Sequence, residues 1–214
     1  MTKPEIIRRL LDPGIIAIIR MKSSEQVLRV AKALQAGGIT ALEVTMTTPN
    51  ALNAITELCG YFGDKMLIGV GTVLDSESAR NAIVAGAQFI VTPVTKPDVI
   101  RICARYAKPI ASGAFTPTEA FAAHEAGADF IKIFPADQLG PVYIRNLLAP
   151  LPMLQIIPTG GVTPKSVRAF IEAGCVGVGA GSTLITKDAV DRRDWRKLTT
   201  TAAAFVRAIR RARA

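Results

Sequence analysis

Short apolar runs alternate with longer segments of helical periodicity along most of the chain. Each apolar run is only a few residues long, which suits a strand that is buried on both faces. Strands that alternate with helices predict a parallel sheet, and eight such units predict a closed barrel. The predicted strands cover residues 15–19, 41–46, 67–71, 88–92, 109–112, 129–133, 155–159 and 176–179.

A recurring Ala-Gly step marks the ends of helical segments, at Gly37, Gly86, Gly127 and Gly174. Glycine there predicts a left-handed C-cap that turns the chain into the next strand. Signals for a helix start precede several helices, at Thr48, Asp75, Thr95, Thr116 and Thr163. A helix at about residues 3–11 is expected to cover the N-terminal end of the barrel. The pattern therefore predicts an α/β fold, a single (β/α)8 TIM-barrel domain over residues 1–214 with an N-terminal capping helix.

Composition and charge narrow the class of protein. Half of the residues are hydrophobic, and 26 Lys and Arg against 17 Asp and Glu give a net charge of +9. Such a charge suits nucleic acid, an anionic membrane or a phosphorylated metabolite. The dense basic cluster at 207–213 is interpreted as a solvated helix end. Without a recognition motif or an apolar run of membrane length, we expect a cytoplasmic protein with no nucleic-acid partner and no membrane partner.

The cysteines and the histidine give no sign of metal or disulfide chemistry. Cys59, Cys103 and Cys175 are far apart and have neither a disulfide pattern nor metal-ligand spacing. His124 is the only histidine and lies in a helical segment, away from the predicted strand ends. We therefore expect no metal site and no Ser-His triad.

Lys132 interrupts an apolar run that otherwise predicts a buried strand. Strand alternation places Ile131 and Ile133 on one face and Phe130, Lys132 and Phe134 on the other. Lysine is rarely buried without a partner. Burial favours the neutral amine, which can attack a carbonyl carbon to form a Schiff base. The alternative is a structural lysine paired with a carboxylate.

Glu43 is the second unexpected charge in a predicted strand. Leu42, Val44 and Met46 form an apolar face toward the helices, so Glu43, Thr45 and Thr47 are expected to point into the barrel. A carboxylate inside a barrel is either half of an ion pair, with Lys132 or Arg20, or a general acid/base. Both interpretations are true if the Lys132–Glu43 ion pair is itself the catalytic site, and we favour a catalytic role for Glu43.

Two glycine-rich turns follow the predicted strands seven and eight. They contain Gly160 and Gly161, and Gly181 and Ser182. Glycine lets backbone N–H groups approach an anion, and (β/α)8 barrels often bind phosphate on these two loops. The alternative is a pair of turns without a ligand. We favour a phosphate site because both turns fall at the expected strands.

These motifs together resemble the 2-keto-3-deoxy-6-phosphogluconate (KDPG) aldolase family, which are class I lyases on a (β/α)8 barrel. The resemblance spans almost the whole chain, and the segments that carry it are Leu42-Glu43-Val44-Thr45, Ile68-Gly69-Val70-Gly71-Thr72-Val73-Leu74, Val91-Thr92-Pro93, Phe130-Ile131-Lys132-Ile133-Phe134-Pro135, Gly140-Pro141 and Pro158-Thr159-Gly160-Gly161-Val162.

The resemblance implies a role for each of these residues. Lys132 would form the Schiff base and Glu43 would act as acid/base. Thr72 and Pro93 would line the pyruvate end, and Phe134 would pack over the substrate. The phosphate would be held by Gly160, Gly161, Gly181 and Ser182. The products would be pyruvate and glyceraldehyde 3-phosphate, with no cofactor, and the protein would be a homo-oligomer, a trimer by resemblance.

Two departures from the family pattern bear on the substrate. Thr47 occupies a position where many members have arginine, and Arg20 resembles the alternative arginine of other members. Thr159 resembles the gluconate-type sequence more than the apolar residue of galactonate-type enzymes, so we expect the gluconate epimer. The alternatives are the galactonate epimer, 4-hydroxy-2-oxoglutarate, and a phosphosugar isomerase or epimerase that would not need the lysine.

Overall fold

Eight parallel strands, each followed by helical structure, form the fold in a computed structural model that describes residues 1–214, the side chain of Ser24 excepted. The strands are β1 Ile15–Ile19, β2 Ala41–Thr45, β3 Leu67–Gly71, β4 Ile90–Val91, β5 Ile110–Ala114, β6 Phe130–Ile133, β7 Ile156–Pro158 and β8 Val178–Ala180. The helices are α1 Lys3–Leu11, α2 Val27–Ala36, α3 Ala51–Phe62, α4 Ser76–Val84, α5 Pro97–Arg105, α6 Pro117–Glu125, α7 Ala136–Leu148, α8 Val167–Glu172, α9 Lys187–Asp191 and α10 Trp195–Arg213.

The sheet curls into a nearly closed barrel. Its strand order is β7-β6-β5-β4-β3-β2-β1-β8, with all neighbours parallel. Between β7 and β8 there is a single bridge from Thr159 to Gly179 and one nearby backbone bond, from Val176 N–H to the Ile156 carbonyl (3.0 Å). The predicted (β/α)8 barrel is confirmed.

Strand alternation divides the apolar residues into two clusters. Outward residues, such as Leu42 and Ile131, pack against the surrounding helices. Inward residues, such as Phe130, pack with Ile6 and Leu10 of α1 across the N-terminal end of the barrel. The predicted capping helix therefore closes the barrel floor, and the polar chemistry is left to the opposite end.

The Ala-Gly turns have the predicted backbone geometry, with one adjustment. Gly86, Gly127 and Gly174 have φ values of 109°, 96° and 102°. In the Gly37-Gly38 pair it is the second glycine that is left-handed, with φ of 91°.

Some predicted boundaries were wrong by a few residues. Asp75 and Thr116 do cap α4 and α6, accepting bonds from the backbone N–H groups of Ser78 and Glu119. In contrast, α3 begins at Ala51 with Asn50 as its N-cap residue, and the Thr48 hydroxyl accepts a bond from Met21 N–H (3.3 Å).

The basic C-terminal cluster is exposed, as expected for a solvated helix end, and Arg213 in addition makes specific contacts. Its guanidinium donates to the carbonyls of Leu11 (2.9 Å), Asp12 (2.8 Å) and Val176. The first two lie at the C-terminal end of α1, where helix carbonyls lack intrahelical partners. Arg213 therefore ties α10 to the capping helix. None of the helices, as far as residues 1–214 are described, combines the length and apolarity needed to span a membrane.

Candidate active site

A cavity of about 520 Å³ opens at the C-terminal ends of the strands. It is lined by every predicted site residue except Thr47, namely Arg20, Glu43, Thr72, Pro93, Lys132, Phe134, Thr159, Gly160, Gly161, Gly181 and Ser182. These residues come from the ends of all the strands except β5. The fold thus gathers groups that are far apart in sequence, as the barrel geometry predicts.

Lys132 and Glu43 face each other inside the barrel. Lys132 Nζ lies 4.0 Å from Glu43 Oε1, and the two side chains are only 9% and 2% exposed. Lys132 Nζ also lies 5.3 Å from the centroid of the Phe134 ring. Glu43 Oε1 is buried and accepts no hydrogen bond from the described residues. A buried acceptor without a partner, beside an amine, suits a substrate atom or water that shuttles a proton between them.

Burial raises the pKa of the Glu43 carboxyl above its ordinary value, and the positive charges of Lys132 and Arg20 only partly oppose this effect. A raised pKa brings the protonated form closer to neutral pH. The carboxyl can then both donate and accept a proton in the same cycle, which is the requirement for a general acid/base.

Gly71 provides the space in which Glu43 lies. A Cβ atom at this position would lie 1.7 Å from Glu43 Oε1 and 2.3 Å from Cδ. Gly71 pairs with Thr45 in the β2–β3 ladder, so the backbone there cannot move away without breaking the sheet. Glycine is therefore required at this position for the carboxyl to remain in place.

Thr72 follows directly and has a left-handed backbone, with φ of 58°. This conformation is unusual for a β-branched residue and costs on the order of 1–3 kcal/mol. It occurs where β3 ends and the side chain joins the cavity lining. Such strain is typical of functional sites, where the surrounding structure enforces it.

The two glycine-rich turns line the cavity and contain backbone amides that have no hydrogen-bond acceptor among the described residues. Gly160 and Gly161 have φ values of 101° and 66°. Among the described residues, no acceptor takes the N–H of Gly161, Val162 or Ser182. Unpaired N–H groups from two converging turns form an anion-binding concavity.

Arg20 lines the cavity, whereas Thr47 is exposed and does not. Strand β2 ends at Thr45, so the alternation that predicted an inward Thr47 no longer applies there. The Thr47 hydroxyl instead shares a hydrogen bond with the Thr45 hydroxyl (2.9 Å). The expectation that Thr47 points into the barrel was therefore wrong.

The cavity also has lining residues that sequence reasoning missed, among them Ile18, Gln26, Gly179, Thr183, Lys187 and Asp191. Alternation could have found Ile18 and Gly179, since both are inward positions on strands. Lys187 and Asp191 come from α9, a short helix after β8 with no distinctive motif. Within the described residues, no three potential metal-ligating side chains lie together.

Comparison with known proteins shows the same fold and chemistry. The chain is 39% identical over 199 residues to 2-dehydro-3-deoxy-6-phosphogalactonate aldolase of Escherichia coli K12, covering 92% of this chain and 95% of that protein. It is 33% identical over 185 residues to 2-dehydro-3-deoxy-phosphogluconate aldolase of Pseudomonas aeruginosa, covering 86% and 84%. The "dehydro" and "keto" names denote the same acids.

A solved structure extends the likeness to the reaction. KDPG aldolase from Legionella pneumophila, with pyruvate captured as a covalent carbinolamine intermediate, superposes with a TM-score of 0.83 at 29% identity. The alignment covers 92% of this chain and 96% of that one. The barrel and these relatives define a class I, Schiff-base aldolase, a carbon–carbon lyase. More particularly, the sequence model of KDPG and KHG aldolases matches residues 6–201, and the chain belongs to that family.

Proposed function

We propose that this chain cleaves 2-keto-3-deoxy-6-phosphogluconate to pyruvate and glyceraldehyde 3-phosphate through a Schiff base on Lys132. The observation that carries the proposal is the buried pair of Lys132 and Glu43, with Nζ 4.0 Å from Oε1 at the mouth of the barrel. An amine and a carboxyl at this distance can exchange protons through one bridging water or substrate hydroxyl.

The reaction begins with attack of the neutral Lys132 amine on the C2 ketone. Glu43 delivers and removes protons as the carbinolamine loses water to become a protonated imine. Removal of the C4 hydroxyl proton then breaks the C3–C4 bond, and its electron pair moves into the imine. Glyceraldehyde 3-phosphate leaves, the enamine carbon takes a proton, and hydrolysis releases pyruvate and the free amine.

The rest of the lining positions the two ends of the substrate. Thr72 and Pro93 hold the pyruvyl end, and Phe134 packs over it. The phosphate is bound by the amides around Gly160, Gly161, Gly181 and Ser182. Arg20 supplies a cation for the carboxylate or the phosphate, since Thr47 lies outside the cavity lining.

We assign to Thr159 the discrimination between the gluconate and galactonate substrates, which are epimers at C4. Its side chain lines the cavity beside Gly179, and no described residue engages its hydroxyl, which leaves it for a substrate hydroxyl. The galactonate epimer is the second candidate, favoured by the 39% identity to the galactonate enzyme. Measuring kcat/KM for both epimers decides between them, and a Thr159→Val variant should shift the ratio toward galactonate.

Trapping with borohydride tests the covalent step. Incubation with pyruvate and borohydride, followed by digestion and mass spectrometry, should locate the adduct on Lys132. Lys132→Ala should form no adduct and lose nearly all activity while remaining folded, whereas Lys22→Ala, which removes one of the cavity's two exposed lysines, should keep the adduct. An adduct on another lysine would contradict the assignment of the Schiff base to Lys132. The absence of any adduct would contradict the proposal as a whole and favour a phosphosugar isomerase or epimerase.

We further infer that residues 1–214 form one domain, that copies of it associate as a homotrimer, and that it works in the cytoplasm. Large apolar side chains lie exposed after three consecutive strands, at Leu74 (51%), Val94 (50%) and Phe115 (43%), which suits a subunit interface. Three unpaired cysteines suit a reducing compartment. Light scattering of the purified protein tests the trimer.

A further inference from the structure

The junction of β7 and β8 differs from the rest of the barrel. Every other neighbouring pair of strands is paired within the sheet, whereas these two meet only through the Thr159–Gly179 bridge and the Val176–Ile156 bond. The two glycine-rich turns leave the barrel on opposite sides of this junction. Sheet hydrogen bonds therefore do little to fix the distance between the two turns.

One side chain crosses the junction above the bridge. The Thr183 hydroxyl donates to the carbonyl of Val162, the residue after Gly161. Both ends of this bond are held in place. Val162 is 1% exposed, and the carbonyl of Gly181 accepts bonds from the N–H groups of Leu184 (2.9 Å) and Ile185 (2.8 Å), which fixes the turn that carries Thr183.

We propose that Thr183 is a positioning residue that sets the spacing of the two anion-binding turns and thereby the preference for a phosphorylated substrate. The inference rests on the proposed function, since it takes the anion at these turns to be the substrate phosphate. Amides on both turns can contact one phosphate only if the turns keep a fixed separation. Loss of the Thr183 bond leaves Gly160–Gly161 and Gly181–Ser182 free to shift relative to each other, and small displacements of binding groups weaken binding sharply.

The test compares a substrate with a phosphate and one without, using Thr183→Val and Thr183→Ser. Valine keeps the shape of threonine and removes the hydroxyl, and serine keeps the hydroxyl. For 2-keto-3-deoxy-6-phosphogluconate, Thr183→Val should lower kcat/KM by about 10-fold, mainly through KM, which is the upper end for loss of one hydrogen bond. For 4-hydroxy-2-oxoglutarate, which has no phosphate, the change should stay below about 2-fold. Thr183→Ser, which keeps the hydroxyl, should retain most of the wild-type kcat/KM for the phosphorylated substrate.

Inorganic phosphate provides a second measurement that does not depend on turnover. It should inhibit the wild-type protein competitively and inhibit Thr183→Val about 10-fold more weakly. The matched control is Thr200→Val, because Thr200 is exposed and donates to Arg196 within α10 (3.0 Å), far from the cavity. This control should leave both substrates and phosphate inhibition unchanged.

Equal losses for both substrates, or no loss for either, would overturn the positioning role. If Thr183→Val does not fold, Thr183→Ala compared with Thr183→Ser must show the same selective loss, and its absence would refute the inference. Failure of the proposed function has a different signature. In that case the wild-type protein itself would not cleave the phosphorylated acid or would not trap pyruvate.

Discussion

Gly71→Ala should disable the enzyme through Glu43 without changing any polar group. The added Cβ would lie 1.7 Å from Glu43 Oε1, whereas ordinary contact begins at 3.4 Å. The carboxyl oxygen must therefore retreat by about 1.7 Å, the difference between these distances. Glu43 is 2% exposed and faces Lys132 across 4.0 Å, so a displacement of this size moves its carboxyl away from its position opposite the amine.

The size of the effect follows from the displacement. Misplacing a catalytic group by about 1 Å can cost roughly 10²-fold in rate, so we expect kcat to fall by at least about 10²-fold. Overpacking should also cost about 1–3 kcal/mol of unfolding free energy. The assay is release of pyruvate from the phosphorylated substrate at saturation, with thermal unfolding measured in parallel to show that the variant is folded.

Gly60→Ala is the matched control. A Cβ at Gly60 would meet no atom within 4 Å, and the residue lies inside α3. This change should leave kcat unaltered and raise the unfolding free energy by about 0.5–1 kcal/mol, because alanine favours a helix interior over glycine. A folded Gly71→Ala variant with kcat within about 3-fold of wild type would refute the placement of Glu43 in proton transfer.

Three further perturbations test other parts of the structure. Arg20→Ala should cost roughly 2–4 kcal/mol in kcat/KM and Arg20→Lys should recover part of it; unchanged kinetics would remove Arg20 from substrate binding. Glu43→Gln should lower kcat by about 10²–10⁴-fold. Because burial raises the pKa of Glu43, the folded protein holds this proton more tightly than the unfolded chain, so wild-type stability falls as pH rises above the ordinary value of 4.5. In denaturant unfolding, the unfolding free energy of Glu43→Gln should therefore increase relative to that of wild type as the pH rises above 4.5. A difference that does not change with pH would contradict the raised pKa. Arg213→Ala should lose about 1–3 kcal/mol of unfolding free energy with kcat unchanged, and an unaltered melting temperature would show that its carbonyl contacts contribute nothing.

The barrel could be predicted because its strands are buried on both faces and its turns have glycines. In β6, alternation alone placed Lys132 inward and Ile131 and Ile133 outward, as the two apolar clusters confirm. The same rule placed Glu43 inside. Periodicity works here because both residues lie within hydrogen-bonded strands, where successive side chains alternate between the two faces.

The sequence-based predictions failed where the chain leaves a helix or strand. They also failed where the structure depends on contacts between residues that are far apart in sequence. Thr47 lies past the end of β2, so alternation had no meaning there. Strand β4 covers only Ile90–Val91, whereas residues 88–92 were predicted. The ends of a strand depend on its hydrogen bonds to the neighbouring strands, which a local sequence pattern does not show. The Arg213 contacts join residues separated by 202 positions, and no local pattern indicates which carbonyls an arginine will reach.

The sparse bonding between β7 and β8 also has a consequence for motion. Local opening of a protein starts where the fewest bonds must break, so this junction should be the place where the barrel opens most readily. A phosphate bound by both turns would join the two sides, and its binding energy would oppose the opening. Amide hydrogen exchange at Ile156 and Ile157 of β7 and in Val178–Ala180 of β8 should then slow more than elsewhere in the sheet when a phosphorylated ligand binds. The ligand would thus complete the ring of strands and make the occupied enzyme the more rigid form.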